Sequence, residues 1–357
     1  MKQSKCLIVF LAFLSATVLC SETLWAKTFR ITIGSGYAVE PNPLLKKWRD
    51  EVCVNIKNRV ESATEHKIEW VGAWAGAVAK VGEELNAIES GTLKMGMVAT
   101  PVETSKLYLN SFGYNVPFGT QDVEKACRVN LDVYRKNKIL QEVFERYNQK
   151  WLGQVSYETY DIITTFPFQK MADLKGKKIA ALGANIPWLN QTGAVAVQSN
   201  SGEAYTSFQT GVYHGFLIPL SYTVGPKLFE VAKHVTFVGL GCPAGPTWTM
   251  NLDMWKSLPP KVQEIVWDEA QKFNDAVPAV VAKLRDNAIQ VLKDKGVTCY
   301  TLSQDDRKEW MQVVKDMPKN FIKECSKRGL PGKQVVQSFL EETAKTGYTW
   351  PMKYELD

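Results

Sequence analysis

Apolar and polar positions alternate through Thr28-Phe29-Arg30-Ile31-Thr32-Ile33-Gly34, the period of a strand with one buried face. The loop Ser35-Gly36-Tyr37 and the prolines Pro41 and Pro43 lead into a 3.6-residue pattern that predicts a helix over 44–60. Residues 67–71 read as the next strand. Val81, Leu85 and Ile88 then share one face of a helix over 82–90, closed by Gly91 and followed by a short apolar strand over 93–99. The same order returns later, with a helix over 203–210, a stop at Gly211 and a strand over 212–217. Two such helix–glycine–strand units predict two similarly built α/β lobes with ligand-facing loops at the strand ends.

Between the two units, 123–150 reads as a charged amphipathic helical segment and 157–165 as β-rich. The basic run Lys175 to Lys178 enters a strand over 179–182, and Asn185-Ile186-Pro187 then signals a helix start. From Pro259 and Pro260 an apolar stripe runs through Val262, Ile265, Val266, Ala270, Phe273, Leu284, Ile289 and Leu292 to Gly296. This predicts a helix of roughly 50 Å that crosses both lobes, kinked at Pro278. Ser303 with Asp306 predicts a capped helix start, and 334–344 a last helix.

The first residues change the picture of where the chain works. Met1 to Lys5 is a basic start, Cys6 to Cys20 an apolar stretch, and Ala26 a small residue at a cleavage position, so 1–26 reads as a signal peptide. The mature chain is therefore expected to be exported. Removing Lys2, Lys5 and Glu22 with the leader lowers the formal charge from +6 to +5. Basic residues are scattered among acids, with no arginine-rich face, which argues against nucleic acid as a partner. Cys53, Cys127, Cys242, Cys299 and Cys325 remain. Export permits disulfides, and one or two bridges plus a buried thiol are expected, with connectivity open.

Catalytic and metal signatures are missing. The three histidines, His66, His214 and His234, stand without HExxH or CxxC companions. Gly34-Ser35-Gly36 completes neither a P-loop nor a dinucleotide fingerprint, and no GxSxG elbow exists. No cofactor, metal or enzymatic activity is expected. Aromatic residues are abundant instead, with 11 Trp, 13 Tyr and 15 Phe. Tyr37, Trp74, Tyr157, Tyr160, Trp188 and Trp248 fall in loop-like stretches, where packing is the ordinary reading. Together near strand ends they suit a pocket that encloses an organic ligand.

ELNAIESGTLKMGM, YNVPF at Tyr114 to Phe118, FPFQKMADLKGKKI, EAYTSFQTGVYHGF and MWKSLPPKVQEIVWDEA follow one another in a specific order. In that series the chain resembles the periplasmic solute-binding proteins of TRAP transporters, the DctP-like family. The resemblance implies an α/β solute-binding protein fold, with two lobes around a ligand cleft joined by hinge strands and a long spanning helix. Lobe I would take 27–149 and 237–275, and lobe II 150–236 and 276–330. Hinges would lie near 150 and 236, the spanning helix over about 260–295, and a C-terminal helix and tail over 331–357. The resemblance also implies a small organic solute, delivery to TRAP membrane permease subunits, and no catalysis. A monomer is expected, with pairing through the C-terminal helices left open.

Where the family carries an arginine that forks onto a substrate carboxylate, this chain has Ala180. A second family basic position falls near Phe166, the usual aspartate is His214, and a usual polar residue falls near Ile218. A carboxylate against these residues would be desolvated without charge-assisted bonds. The ligand is therefore expected to be neutral, aromatic or hydrophobic, unless Lys178 or Arg30 supplies a replacement cation. The expected binding residues are Tyr37, Trp74, Ala99, Thr100, Tyr157, Phe166, Ala180, Leu182, Trp188, Phe216, Ile218 and Trp248, with His214 orienting a loop. Two rival readings remain: a periplasmic carrier of lipid-like molecules with a long dry tunnel, and an exported hydrolase.

Overall fold

The computed structural model describes residues 26–40 and 42–356. The leader expectation, up to residue 25, and Pro41 lie outside the described residues. Among the described residues, eleven strands form two sheets. In the first, β1 (Thr28–Gly34) pairs in parallel with β2 (Lys67–Ala73) and β3 (Met95–Val98). Antiparallel β10 (Ala244–Asn251) joins β3 to β4 (Gln149–Ser156). The second sheet has at its centre β5 (Tyr160–Thr164), antiparallel to β8 (Gly215–Pro219) and β9 (His234–Phe237). Parallel β6 (Lys178–Ala181) and β7 (Val195–Gln198) extend one side, and β11 (Thr298–Thr301) the other.

The chain crosses between sheets from β4 to β5 through Tyr157–Thr159 and returns from β9 to β10 through 238–243. The crossings lie side by side: the Tyr157 N–H donates to the Pro243 carbonyl at 3.1 Å, and the Tyr160 N–H to Gly241 at 3.1 Å. Gly239 and Gly241 adopt φ of 66° and 116°, which a side chain rarely tolerates. Between the sheet segments run α1 (Pro43–Lys47), α2 (Cys53–Ala63), α3 (Glu84–Glu89), α4 (Val123–Lys136), α5 (Ile139–Glu142), α6 (Ala204–Gln209), α7 (Ser221–Val224) and α8 (Leu252–Ser257).

The long helix α9 spans Pro260–Asp294, 35 residues and so about 52 Å. Its buried residues Val262, Ile265, Val266, Phe273 and Val281 pack on the first sheet's core, while Ala288 and Leu292 pack on the second sheet's. Pro278 lies inside the helix and is itself buried, so the helix continues through it where a break was the intrinsic tendency. A third core collects residues of both sheets with α10 (Gln304–Val314), α11 (Met317–Lys327) and α12 (Gly332–Lys345). The Asp306 N–H donates to the Ser303 hydroxyl at 3.0 Å, which caps α10.

Three expectations need correction. The helical segment over 123–150 ends early: α4 and α5 stop at Glu142, a tight turn follows, and Gln149 opens β4. Asn185-Ile186-Pro187 starts no α-helix but lies in a tight helical turn, Gly183–Leu189, too short to propagate. The five cysteines outside the leader are all free thiols, four of them buried, so no bridge is present among the described residues.

Candidate functional site

A cavity of about 650 Å³ opens between the two sheets, beside the first crossing. The loop after β1 contributes Tyr37, and the start of α1 Asn42 to Leu44; the end of β4 and the first crossing contribute Val155 to Glu158. The segment after β7 contributes Ser201, and α7 with the residues after it Ser221, Tyr222 and Val224 to Pro226. Helix α9 closes the wall with Val281, Leu284, Ala288 and Val291. The volume lies in the range of small-molecule sites, and the walls are mostly apolar with a few polar groups.

Local sequence explains how Tyr37 reaches this wall. The buried Glu84 carboxylate accepts the Gly36 N–H at 3.0 Å and the Gly82 N–H at 2.7 Å, joining the β1–α1 loop to the approach to α3. Burial raises the Glu84 pKa, while these N–H groups pull it back toward the ionised form. Only glycine fits at position 36, because a Cβ would stand 2.2 Å from the Val81 nitrogen. The Tyr37 side chain beside Tyr157 has its pKa pushed up to about 12, chiefly by burial and further by Glu84. Its hydroxyl therefore stays protonated and can donate or accept.

Glu158 is the one charged side chain lining the cavity among the described residues. It is 2% exposed. Its Oε1 accepts the Ser221 N–H at 2.6 Å, while Oε2 has no hydrogen-bond partner and lies 3.8 Å from Arg285 Nη1. Arg285 sits behind the wall on α9, with Nη2 2.7 Å from Asp161 Oδ2 and its guanidinium 5.6 Å from the Phe237 ring centroid. Burial pushes the Glu158 pKa up to about 7, against the hydrogen bonds from Ser221 and the charge of Arg285, which lower it.

Of the residues expected from sequence, Tyr37 and Tyr157 line this cavity. The others lie elsewhere. Ala180, Phe216 and Ile218 are buried in the core of the second sheet, with Phe216 opposite Ala180 in the ladder. Ala99 is buried. The Thr100 hydroxyl donates to Thr247 at 2.8 Å, which itself donates to Gln154 at 2.8 Å. Trp248 stacks on Trp48 with ring centroids 3.9 Å apart. The Trp188 indole N–H donates to the Tyr114 carbonyl at 2.6 Å, in the core shared by both sheets. Trp74, Phe166 and Leu182 are half-buried and do not line the cavity; Lys177 Nζ lies 4.9 Å from the Phe166 ring.

Neither proposed replacement cation reaches the cavity. Arg30 pairs with Glu69 at 3.5 Å with its side chain 70% exposed, and Lys178 is exposed. The His214 Nδ1 accepts the Lys178 backbone N–H at 3.1 Å, so this imidazole ties the loop before β8 to β6. Sequence reasoning missed Glu158, Asn42, Ser201, Tyr222 and the α9 wall. One signal was present: Glu158 and Asp161 are two acids inside the otherwise apolar, aromatic run 157–163, where burial demands a partner. No group of His, Cys, Asp and Glu that could hold a metal occurs among the described residues, and no described helix is long and apolar enough to cross a membrane.

Comparison with known proteins gives concordant matches. The family model of the bacterial extracellular solute-binding proteins, family 7 (DctP), matches residues 44–324. The ectoine-binding periplasmic protein TeaA of Halomonas elongata is 23% identical over 209 residues, 56% of this chain and 60% of that protein. A solute-binding protein of Sulfitobacter sp. strain NAS-14.1 is 24% identical over 186 residues, 51% of this chain and 56% of its own. The matched stretch thus covers less than two thirds of these relatives. Among solved structures, a TRAP periplasmic solute-binding protein from Desulfovibrio salexigens superposes with TM-score 0.76 at 18% identity, covering 89% of this chain and 96% of its own. A marine metagenome TRAP protein specific for aromatic acid ligands, bound to 3-hydroxybenzoate, gives 0.76 at 19% identity, with 90% and 99% coverage. DctP7 of Bordetella pertussis, which binds pyroglutamic acid, gives 0.73 at 17% identity, with 87% and 99%. These likenesses show the two-lobed fold.

Proposed function

The chain belongs to the bacterial extracellular solute-binding proteins of family 7, and we propose that it serves as the extracytoplasmic receptor of a TRAP transporter. In this reading it works in the periplasm, closes its lobes around a small organic solute and hands that solute to the membrane permease. It binds without chemical turnover. The solute has an apolar or aromatic body and is not held by an arginine–carboxylate clamp.

The observation that carries the ligand reading is the charge of the cavity wall. Val155, Pro246, Val281, Leu284, Ala288 and Val291 offer apolar surface, and no lysine, arginine or histidine lines the space among the described residues. An acid entering it would lose hydration beside the Glu158 carboxylate with no cation to receive it. The solved relatives that bind aromatic acids or pyroglutamic acid share the fold at under 25% identity, which leaves the ligand chemistry to this chain's own side chains. The volume suits a small solute better than a long lipid chain.

Thermal unfolding against a solute library tests this. A binder at 100-fold its Kd adds about 2.7 kcal/mol, enough to raise Tm by several degrees. We expect neutral aromatic or apolar compounds to give such shifts and simple dicarboxylates to give none. A strong shift with dicarboxylates alone would overturn the ligand reading.

A further inference from the structure

Resting on that receptor reading, we propose that the solute carries a protonated nitrogen beside its apolar body, and that Glu158 is the acceptor that selects it. The cavity is otherwise uncharged among the described residues, so a single carboxylate sets the sign of its potential. Glu158 is almost wholly buried, and one of its oxygens already accepts the Ser221 N–H. The other has no hydrogen bond, although buried polar atoms nearly always find a partner. That oxygen is closed to solvent and faces Arg285, so a nitrogen donor entering beside the crossing would meet the carboxylate from its cavity side and add a second compensating charge. Tyr37 and Tyr157 in the same wall offer aromatic surface to a cation and to the ring or chain behind it.

The groups packed around Glu158 support this division of labour. Arg285 from α9 is drawn toward Asp161 of β5, at 2.7 Å, and stays 3.8 Å from Glu158. It therefore neutralises Asp161 first and leaves Glu158 under-compensated. From α7 come the Ser221 N–H and the Tyr222 hydroxyl. The buried thiols Cys127 of α4 and Cys242 of the second crossing stay protonated, since burial raises both. No second cation faces the carboxylate among the described residues.

Ionisation of Glu158 near pH 7 then makes capture pH-dependent. The carboxylate form receives the ammonium, so affinity should rise as pH climbs through 7. From pH 6 to pH 8 the ionised fraction of a group titrating at 7 grows about tenfold, while a primary ammonium stays charged throughout.

Isothermal titration of the full-length exported protein with two matched series tests the proposal. The probes are 2-phenylethylamine, 2-phenylethanol and phenylacetate, and hexylamine, hexanol and hexanoate. The expected result is that an amine binds at least tenfold tighter than its alcohol at pH 8, that the carboxylate is weakest, and that the preference shrinks about tenfold at pH 6. Glu158→Gln should abolish the amine preference and its pH dependence. Equal binding of alcohol and amine would overturn the proposal and leave the receptor for apolar solutes standing. An amine preference untouched by both pH and Glu158→Gln would do the same. A carboxylate binding tightest would defeat both the proposal and the non-acid reading, and binding by no member of either series would defeat both as well. Should Glu158→Gln fail to fold, the wild-type ranking and pH profile decide alone.

Discussion

Ala180 shows how much one residue's meaning depends on its surroundings. That an alanine rather than an arginine stands there was legible in the sequence. Its burial was not legible, because β6 is short and covered by core on both faces. Ala180 has no exposed surface and faces the Phe216 and Val197 positions across its two ladders. Ala180→Arg should therefore destabilise the protein by about 3–5 kcal/mol, the cost of an uncompensated buried charge, as read by urea unfolding. A variant as stable as the wild type would mean that the side chain escapes into a solvated cleft. Glu158 behaves in the opposite way. Its raised pKa favours the fold below pH 4.5, and that contribution is lost as pH rises through about 7.

At the scale of elements, the segment Gly183–Leu189 repays its irregularity. Propensity placed a helix start at Asn185-Ile186-Pro187, but the segment is a tight turn that inserts Trp188 between the lobes. The Trp188 indole donates to Tyr114, the Trp188 carbonyl receives the Trp310 indole N–H at 2.8 Å, and Trp188 meets Tyr160 edge-on at 5.4 Å. Trp188→Phe keeps most of the apolar surface and leaves the Tyr114 carbonyl unpaired. The expected loss is about 1–3 kcal/mol in chemical unfolding; no loss would show that the bond is not maintained in solution. Two of the strands missed from sequence, β4 and β10, share a cause. β4 and β10 are buried almost throughout, so alternation, the usual strand signal, is absent, and Pro246 and Gly245 lie at a shift in the β10 register.

For the whole molecule, the two crossings and α9 connect the lobes on one side, and the C-terminal helices pack against both on another. Phe118 and Phe168 each meet Trp310 edge-on, and Phe112 meets Phe339 at 5.5 Å. Arg307 of α10 donates to the Val238 carbonyl at 2.6 Å, holding the second crossing. A chain ending at Leu302 would expose this shared core. It should bind ANS, lose near-UV dichroism and aggregate, whereas a compact monomer with native dichroism would show that the lobes fold without the C-terminal helices.

Local pattern was enough for the first strand, the helix–glycine–strand units, the long apolar stripe and the Ser303 cap, because each depends on side chains a few residues apart. Only tertiary structure decided which aromatics are spent on packing, where Trp48 meets Trp248 and Trp188 meets Tyr114, and which remain beside open space. It alone brought Tyr37, Glu158, Ser221 and Leu284 to one wall. Residues so far apart in the chain share no period, and whether a buried acid is left half-paired depends on distances that folding alone sets.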